Sequence, residues 1–192
     1  MNSLSFTKCH NVAQVDWPTQ NPELNLQTKA VKLVTDFKVH RPLIIDCNTK
    51  AVEAEYSMKK THVKLKIVLD SANNFLGTVS FNDLNNQEII KKVAAGDNRT
   101  DLKVSDFMRS KEQLLALDWH QLETTSLRTL LQFMSNSDEQ HVLVTDCDGE
   151  NLRGIISASD IARALHVDVN LAKPVSFKLI HNEVLPASQF AA

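Results

Sequence analysis

A chain of 192 residues with 43% hydrophobic and 23% charged residues has the composition of a globular protein that can bury a sizeable core. Its formal net charge of −2 argues against a general nucleic-acid binder, because such a protein needs a basic face to displace counterions. No apolar run approaches the roughly 18 residues of a membrane span, and no signal-peptide core opens the chain, so a cytoplasmic protein is expected.

The chain begins with a polar, irregular segment. Trp17-Pro18 and Asn21-Pro22 would break any helix there, so residues 1–25 are interpreted as an N-terminal arm. The three cysteines are widely spaced and form no CxxC pair, which indicates reduced thiols.

An internal repeat determines the predicted fold. Val34-Thr35-Asp36-Phe37 is echoed seventy residues later by Val104-Ser105-Asp106-Phe107. The apolar runs 43–45 and 114–117 follow the two echoes, and each predicts a short buried strand.

Each repeat continues with a helix, two strands and a closing helix. In the second repeat the apolar side chains of the first helix recur at helical spacing, and Gly149 supplies a turn with a positive φ between the strands. The predicted strands are residues 63–69 and 75–79 in the first repeat and 142–144 and 152–156 in the second. The closing helices follow Asp83 and Asp160.

The order strand, helix, strand, strand, helix therefore occurs twice, which predicts an α+β protein built from tandem repeats. The first repeat spans residues 26–95, a hydrophilic linker 96–103, the second repeat 104–166 and a C-terminal tail 167–192. Within the tail, residues 175–180 predict one additional strand.

The most specific motif is a Gly-x-x-Ser-x-x-Asp pattern that closes the last strand of both repeats. It comprises Gly77, Ser80 and Asp83 in the first repeat and Gly154, Ser157 and Asp160 in the second. Each serine is predicted to stand where the strand stops and a helix begins, so its hydroxyl and the unpaired N–H groups of that helix can face a phosphate. The acid three residues on can accept hydrogen bonds from a pair of ribose hydroxyls. A serine followed three residues later by an acid is also a helix-capping pattern, and the two interpretations are compatible.

On these residues the chain resembles the cystathionine-β-synthase-type (CBS) domain family over residues 34–165. The second repeat is the closer match, at residues 104–108, 141–146 and 154–165. The resemblance implies two tandem CBS repeats that pack through their sheets with pseudo-two-fold symmetry, an arrangement called a Bateman module. It also implies clefts between the repeats, which in many family members bind AMP, ADP, ATP or S-adenosylmethionine.

The resemblance further assigns roles to single residues in these clefts. Two acids would bind ribose and two serines would lie beside the phosphate or sugar: Asp83 and Asp160, with Ser80 and Ser157. Four apolar residues would wall the adenine: Ile44, Ile45, Leu115 and Ala116. Four basic side chains are candidates for the phosphate: His141, Arg153, Lys64 and Lys66. The first repeat departs from the family pattern at Asn82 and Lys66, so the cleft of the second repeat fits the family better.

The function that this resemblance implies is regulatory, not enzymatic. The sequence has no glycine-rich phosphate loop, no HExxH motif and no GxSxG elbow, so no catalytic residue, metal or required cofactor is expected. We expect a homodimeric module that binds an adenine nucleotide and signals to a protein partner. The alternative is a ligand-free, dimerising interaction scaffold with the same fold. A small hydrolase or transferase would require a buried Asp or Cys beside a His in a cleft.

Overall fold

The computed structural model of the chain describes residues 24–146, 149–170 and 173–185. Residues 1–23 of the predicted arm, Cys9, Cys147 and the end of the tail lie outside the described residues. The described part forms two similar units, each containing a four-stranded sheet, which confirms the predicted α+β tandem repeat.

The first unit follows the predicted order of elements, and the second follows it with one additional helix, α3 (Trp119–Thr124), after its first strand. The first unit contains β2 (Ile44–Asp46), α1 (Ala51–Lys60), β3 (Leu65–Leu69), β4 (Phe75–Ser80) and α2 (Asn86–Ala94). The second contains β6 (Ala116–Asp118), α3 (Trp119–Thr124), α4 (Leu127–Phe133), β7 (His141–Thr145), β8 (Leu152–Ser157) and α5 (Ala158–Ala164). In each unit the first strand pairs in parallel with the second, and the second pairs antiparallel with the third. Gly149 has a φ of 69°, as the predicted turn requires.

Each sheet is completed by a strand from the segment that leads into the other unit. The two-residue strand β1 (Thr35–Asp36) precedes the first unit but pairs with β8 of the second. Likewise β5 (Arg109–Ser110) precedes the second unit but pairs with β4 of the first. The two lead-in segments therefore cross between the units and tie them together.

The crossing also shows how the two repeats correspond. Asp36 pairs with Gly154 in the second sheet, and Ser110 pairs with Gly77 in the first, so Asp36 is the counterpart of Ser110. The echo in the sequence had matched Asp36 to Asp106, four residues earlier. That correspondence is wrong, because the second copy of the echo, Val104–Asp106, forms a 3-10 helix whose counterpart is Ala30–Leu33.

The predicted strands 43–45 and 114–117 form but are not buried. They correspond to β2 and β6, which lie at the edges of their sheets. Leu115, directly before β6, is 86% exposed, and Ile44 is 41% exposed. An edge strand is covered by neighbours on one side only, so its outer residues face solvent or a cleft.

The tail contributes a helix, α6 (Phe177–Val184), where an additional strand was predicted. Ser176 caps this helix by accepting a hydrogen bond from the Leu179 N–H, at 3.3 Å. Phe177, Ile180 and Leu185 are fully or almost fully buried in the core of the second unit, where α6 packs against α4 and α5. The tail is therefore part of the second core.

None of the helices in the described ranges is long and apolar enough to cross a membrane.

Candidate functional site

Two cavities lie between the units, and each is built from both of them. The first cleft, of about 570 Å³, joins Ser80 and Asp83 of the first unit to Leu115 and Ala116 of the second. The second cleft, of about 370 Å³, joins Ser157 and Asp160 to residues 41–43. In both clefts, the Ser-x-x-Asp motif of one unit therefore lies beside residues at or just before the first strand of the other unit.

In the first cleft, Ser80 and Asp83 are bonded to each other. The Ser80 backbone N–H and hydroxyl both donate to Asp83 Oδ2, each at 2.7 Å, and the Asp83 N–H donates back to Ser80 Oγ at 3.2 Å. This is the reciprocal capping arrangement, but it closes a turn and not a helix. Helix α2 begins later, at Asn86, where Asn85 supplies the cap. The prediction that Ser80 stands at a helix start is therefore wrong.

The second cleft uses the same motif differently. Helix α5 begins directly after Ser157, as predicted, and the Ser157 side chain makes no capping hydrogen bond. The Asp160 carboxylate instead accepts a hydrogen bond from Arg163, one turn further along α5. The Ser157 hydroxyl is therefore not committed to capping.

The apolar walls agree with the expectation in one cleft only. Leu115 and Ala116 line the first cleft. Ile44 and Ile45 do not line the second, where Pro42 and Leu43 stand in their place. Ile45 packs against the core of the first unit, because alternate residues of a strand face opposite sides of the sheet.

His141 lies in the wall that the two clefts share. Its side chain lines both cavities, as does Leu65, which occupies the corresponding place at the start of β3. Burial lowers the pKa of His141, as does Lys64, while Asp160 and Glu139 oppose the shift. His141 is therefore neutral near pH 7 and presents a hydrogen-bonding ring, not a cation.

The cations are arranged otherwise than the sequence predicted. Lys64 lines the second cleft, together with Arg41 and Arg163, which the sequence analysis missed. Arg41 lies two residues before the apolar run 43–45, where no sequence pattern marks it. Arg163 falls three residues after Asp160, so helical spacing could have indicated Arg163. Lys66 lines neither cleft.

Arg153 also lines neither cleft, because it holds the lead-in strand of the first unit. Its guanidinium donates to both carboxylate oxygens of Asp36, at 2.7 and 2.9 Å, and lies 4.0 Å from the centre of the Trp119 ring. This bidentate pair lowers the pKa of Asp36 to about 2, chiefly through the hydrogen bond from Arg153. The predicted phosphate ligand is thus a structural clamp between β1 and β8.

The clamp gives a testable effect on stability. Arg153→Met should lower the free energy of unfolding by about 2 kcal/mol, because a charge-assisted, largely buried pair is lost. Chemical denaturation near neutral pH measures this loss. Arg163→Met removes an exposed ion pair on α5 and should cost less than about 0.5 kcal/mol, so equal losses in the two variants would contradict the clamp.

The same pair predicts a pH dependence. Because the pKa of Asp36 is lowered in the folded state, its contribution is complete above the ordinary value of 3.8 and is lost as the pH falls to about 2. Denaturation curves across that interval should be less pH-dependent in Asp36→Asn than in the wild type. If the free energy of unfolding changes with pH equally in the variant and the wild type, the pair does not link folding to the protonation of Asp36.

The two units are equivalent, exchange their lead-in strands and enclose a cleft on either side of a shared wall. This arrangement is a paired β-α-β-β-α module. Residues 122–167 match the family model of the CBS domain. This segment is therefore similar to a CBS domain, and the described part of the chain has the fold of solved CBS-pair proteins, as the sequence predicted.

Solved structures share this fold at low sequence identity. An uncharacterised conserved protein from Pyrococcus horikoshii aligns over 77% of this chain and 98% of its own, with 19% identity and a TM-score of 0.53. The protein ATU1752 from Agrobacterium tumefaciens aligns over 79% and 98%, with 19% identity and a TM-score of 0.52. CBSX2 from Arabidopsis thaliana, in complex with AMP, aligns over 71% and 94%, with 19% identity and a TM-score of 0.52. No curated protein matches the sequence.

Proposed function

We propose that this chain is a regulatory module that binds an adenosine-containing nucleotide between its repeats, catalyses no reaction and signals through a protein interface. The observation that carries the proposal is the composition of the second cleft. Three cationic side chains, from Arg41, Lys64 and Arg163, line one cavity with Ser157 and Asp160. A site that combines a carboxylate with several cations suits a ribose joined to a phosphate.

Each part of a nucleotide has a matching group in the second cleft. Asp160, which is ion-paired with Arg163, can accept hydrogen bonds from a pair of ribose hydroxyls. Arg41 and Lys64 supply charge for the phosphate. Leu43, which is 56% exposed, offers an apolar surface for the base. Support for an adenine nucleotide comes from CBSX2, which shares the fold and was crystallised with AMP.

Thermal unfolding with and without AMP, ADP, ATP or S-adenosylmethionine tests the proposal. A ligand present at 100 times its Kd should stabilise the protein by about 2.7 kcal/mol and raise the Tm by about 5 °C. With AMP, Asp160→Ala should abolish most of the increase, and the matched variant Asp83→Ala should retain it. The absence of a shift with all four ligands would contradict nucleotide binding.

The second candidate is a ligand-free, dimerising scaffold. It is favoured by the fact that both motif carboxylates already have protein partners, Ser80 for Asp83 and Arg163 for Asp160. A scaffold also needs an outer surface for partners, and Tyr56 and Ile90 are exposed on α1 and α2. If no ligand shifts the Tm, sedimentation equilibrium should still find a homodimer, and a monomer at all concentrations would remove this candidate as well.

A further inference from the structure

The first turn of helix α6 is bonded to the loop that leads into β7, residues 137–140. The Phe177 N–H donates to the backbone carbonyl of Glu139 at 3.0 Å. The Lys178 N–H donates to the backbone carbonyl of Ser137, also at 3.0 Å. A helix cannot pair its first N–H groups internally, so a loop that accepts from two of them holds the start of the helix. The 137–140 loop and the first turn of α6 therefore stabilise each other.

The 137–140 loop also faces the first unit. Its four residues line the first cleft. The Glu139 carboxylate accepts a hydrogen bond of 2.7 Å from Arg109, which lies on β5 in the sheet of the first unit. This hydrogen bond is the main reason why the pKa of Arg109 is raised. Glu139 is therefore bonded to the tail helix through its carbonyl and to the sheet of the other unit through its carboxylate.

The two sides of this connection are held with different strength. Helix α6 is anchored in the second core, where Ile180 is fully buried. The side chains of Arg109 and Glu139 are 43% and 46% exposed, and an ion pair with this exposure adds little to the stability of the whole protein. The loop also forms a pair with the helix, between Asp138 and Lys178, but this pair is 3.8 Å long and its carboxylate is 83% exposed. The Arg109–Glu139 pair can therefore break or form without unfolding either unit.

We propose that α6 is the element through which the module reports the relative position of its two units. Arg109 and Glu139 belong to different units, so a shift between the units moves the 137–140 loop with respect to the helix. The loop then has two arrangements, bonded to the first turn of α6 or separated from it, and the ion pair favours the bonded one. This inference deepens the proposed function, because it names the part of the protein that a ligand-induced shift would alter.

Amide hydrogen exchange of the full chain, followed by NMR without any ligand, tests this connection. Arg109→Met removes the ion pair and should accelerate exchange of the Phe177 and Lys178 amide protons about three-fold, because the loop separates from them more often. The Ile180 N–H donates to the Ser176 carbonyl within α6, at 3.2 Å. Its exchange should be unchanged, so Ile180 distinguishes a local effect from a loss of overall stability.

Two further variants make the test specific. Glu139→Gln keeps the backbone carbonyl and removes only the charge, so it should accelerate exchange of the same two protons by a smaller factor than Arg109→Met. Lys50→Met removes an exposed ion pair with Asp101 in the first unit and should leave the exchange of both protons unchanged.

The possible failures are distinguishable. If Arg109→Met leaves the exchange of Phe177 and Lys178 unchanged, or accelerates Ile180 equally, the inference is overturned whatever the nucleotide measurements show. If a ligand raises the Tm of the wild type, its addition should change the exchange of Phe177 and Lys178 at least about two-fold, and unchanged exchange would overturn the reporting role of α6. If no ligand raises the Tm but Arg109→Met acts locally, the proposed function fails and the connection between the first unit and α6 stands.

Discussion

Gly77→Ala and Gly154→Ala should each lower the free energy of unfolding by about 3 kcal/mol, because neither site has room for a methyl group. A Cβ on Gly77 would overlap the backbone carbonyl oxygen of Arg109 in β5. A Cβ on Gly154 would lie 2.7 Å from the backbone oxygen of Thr35 in β1. In both cases the obstacle is the crossing strand, so the substitution would push the lead-in segment off the sheet.

Urea denaturation at neutral pH measures both losses, and Gly149→Ala provides the control. Gly149 has open space around the Cβ position, so only its positive φ of 69° resists substitution. That strain should cost about 1 kcal/mol. Losses at Gly77 and Gly154 no larger than the loss at Gly149 would mean that the strands do not cross as closely as described.

Phe177→Ala should lower the free energy of unfolding by about 3–5 kcal/mol, the range observed when a large aromatic side chain is removed from a core. Phe177 is fully buried among residues of the second unit, beside Ile180 of the same helix. Since α6 follows the second repeat, the result tests whether the tail belongs to the folded core. Urea denaturation measures the change in the free energy of unfolding from both the midpoint and the m-value.

Phe133→Ala is the matched control for Phe177→Ala. The two substitutions remove the same side chain, but Phe133 is 73% exposed. Its loss should change the free energy of unfolding by less than about 0.5 kcal/mol. If both variants lose the same amount, α6 does not pack against the second unit as described.

Much of the fold could be predicted from the sequence because its signals are local. Alternating apolar residues in 65–69 and the Asp-Gly turn at Gly149 each report on a few neighbouring residues. The repeated Gly-x-x-Ser-x-x-Asp pattern located the side chains that line both clefts, Ser80 and Asp83 in one and Ser157 and Asp160 in the other. The tail helix was missed although Phe177, Ile180 and Val184 recur at helical spacing.

By itself, the sequence determined that two α+β repeats occur in tandem and that each ends in a Ser-x-x-Asp motif at a strand terminus. Only the tertiary structure decided that each lead-in strand completes the sheet of the other unit, which explains why a glycine stands at positions 77 and 154. It also decided that Arg153 clamps Asp36 and that Arg41, not Arg153, reaches a cleft. The physical reason is that a two-residue strand has too few side chains to show a pattern. The strand with which such a short strand pairs depends on contacts between residues far apart in the chain. The same holds for the charged side chains that line each cleft.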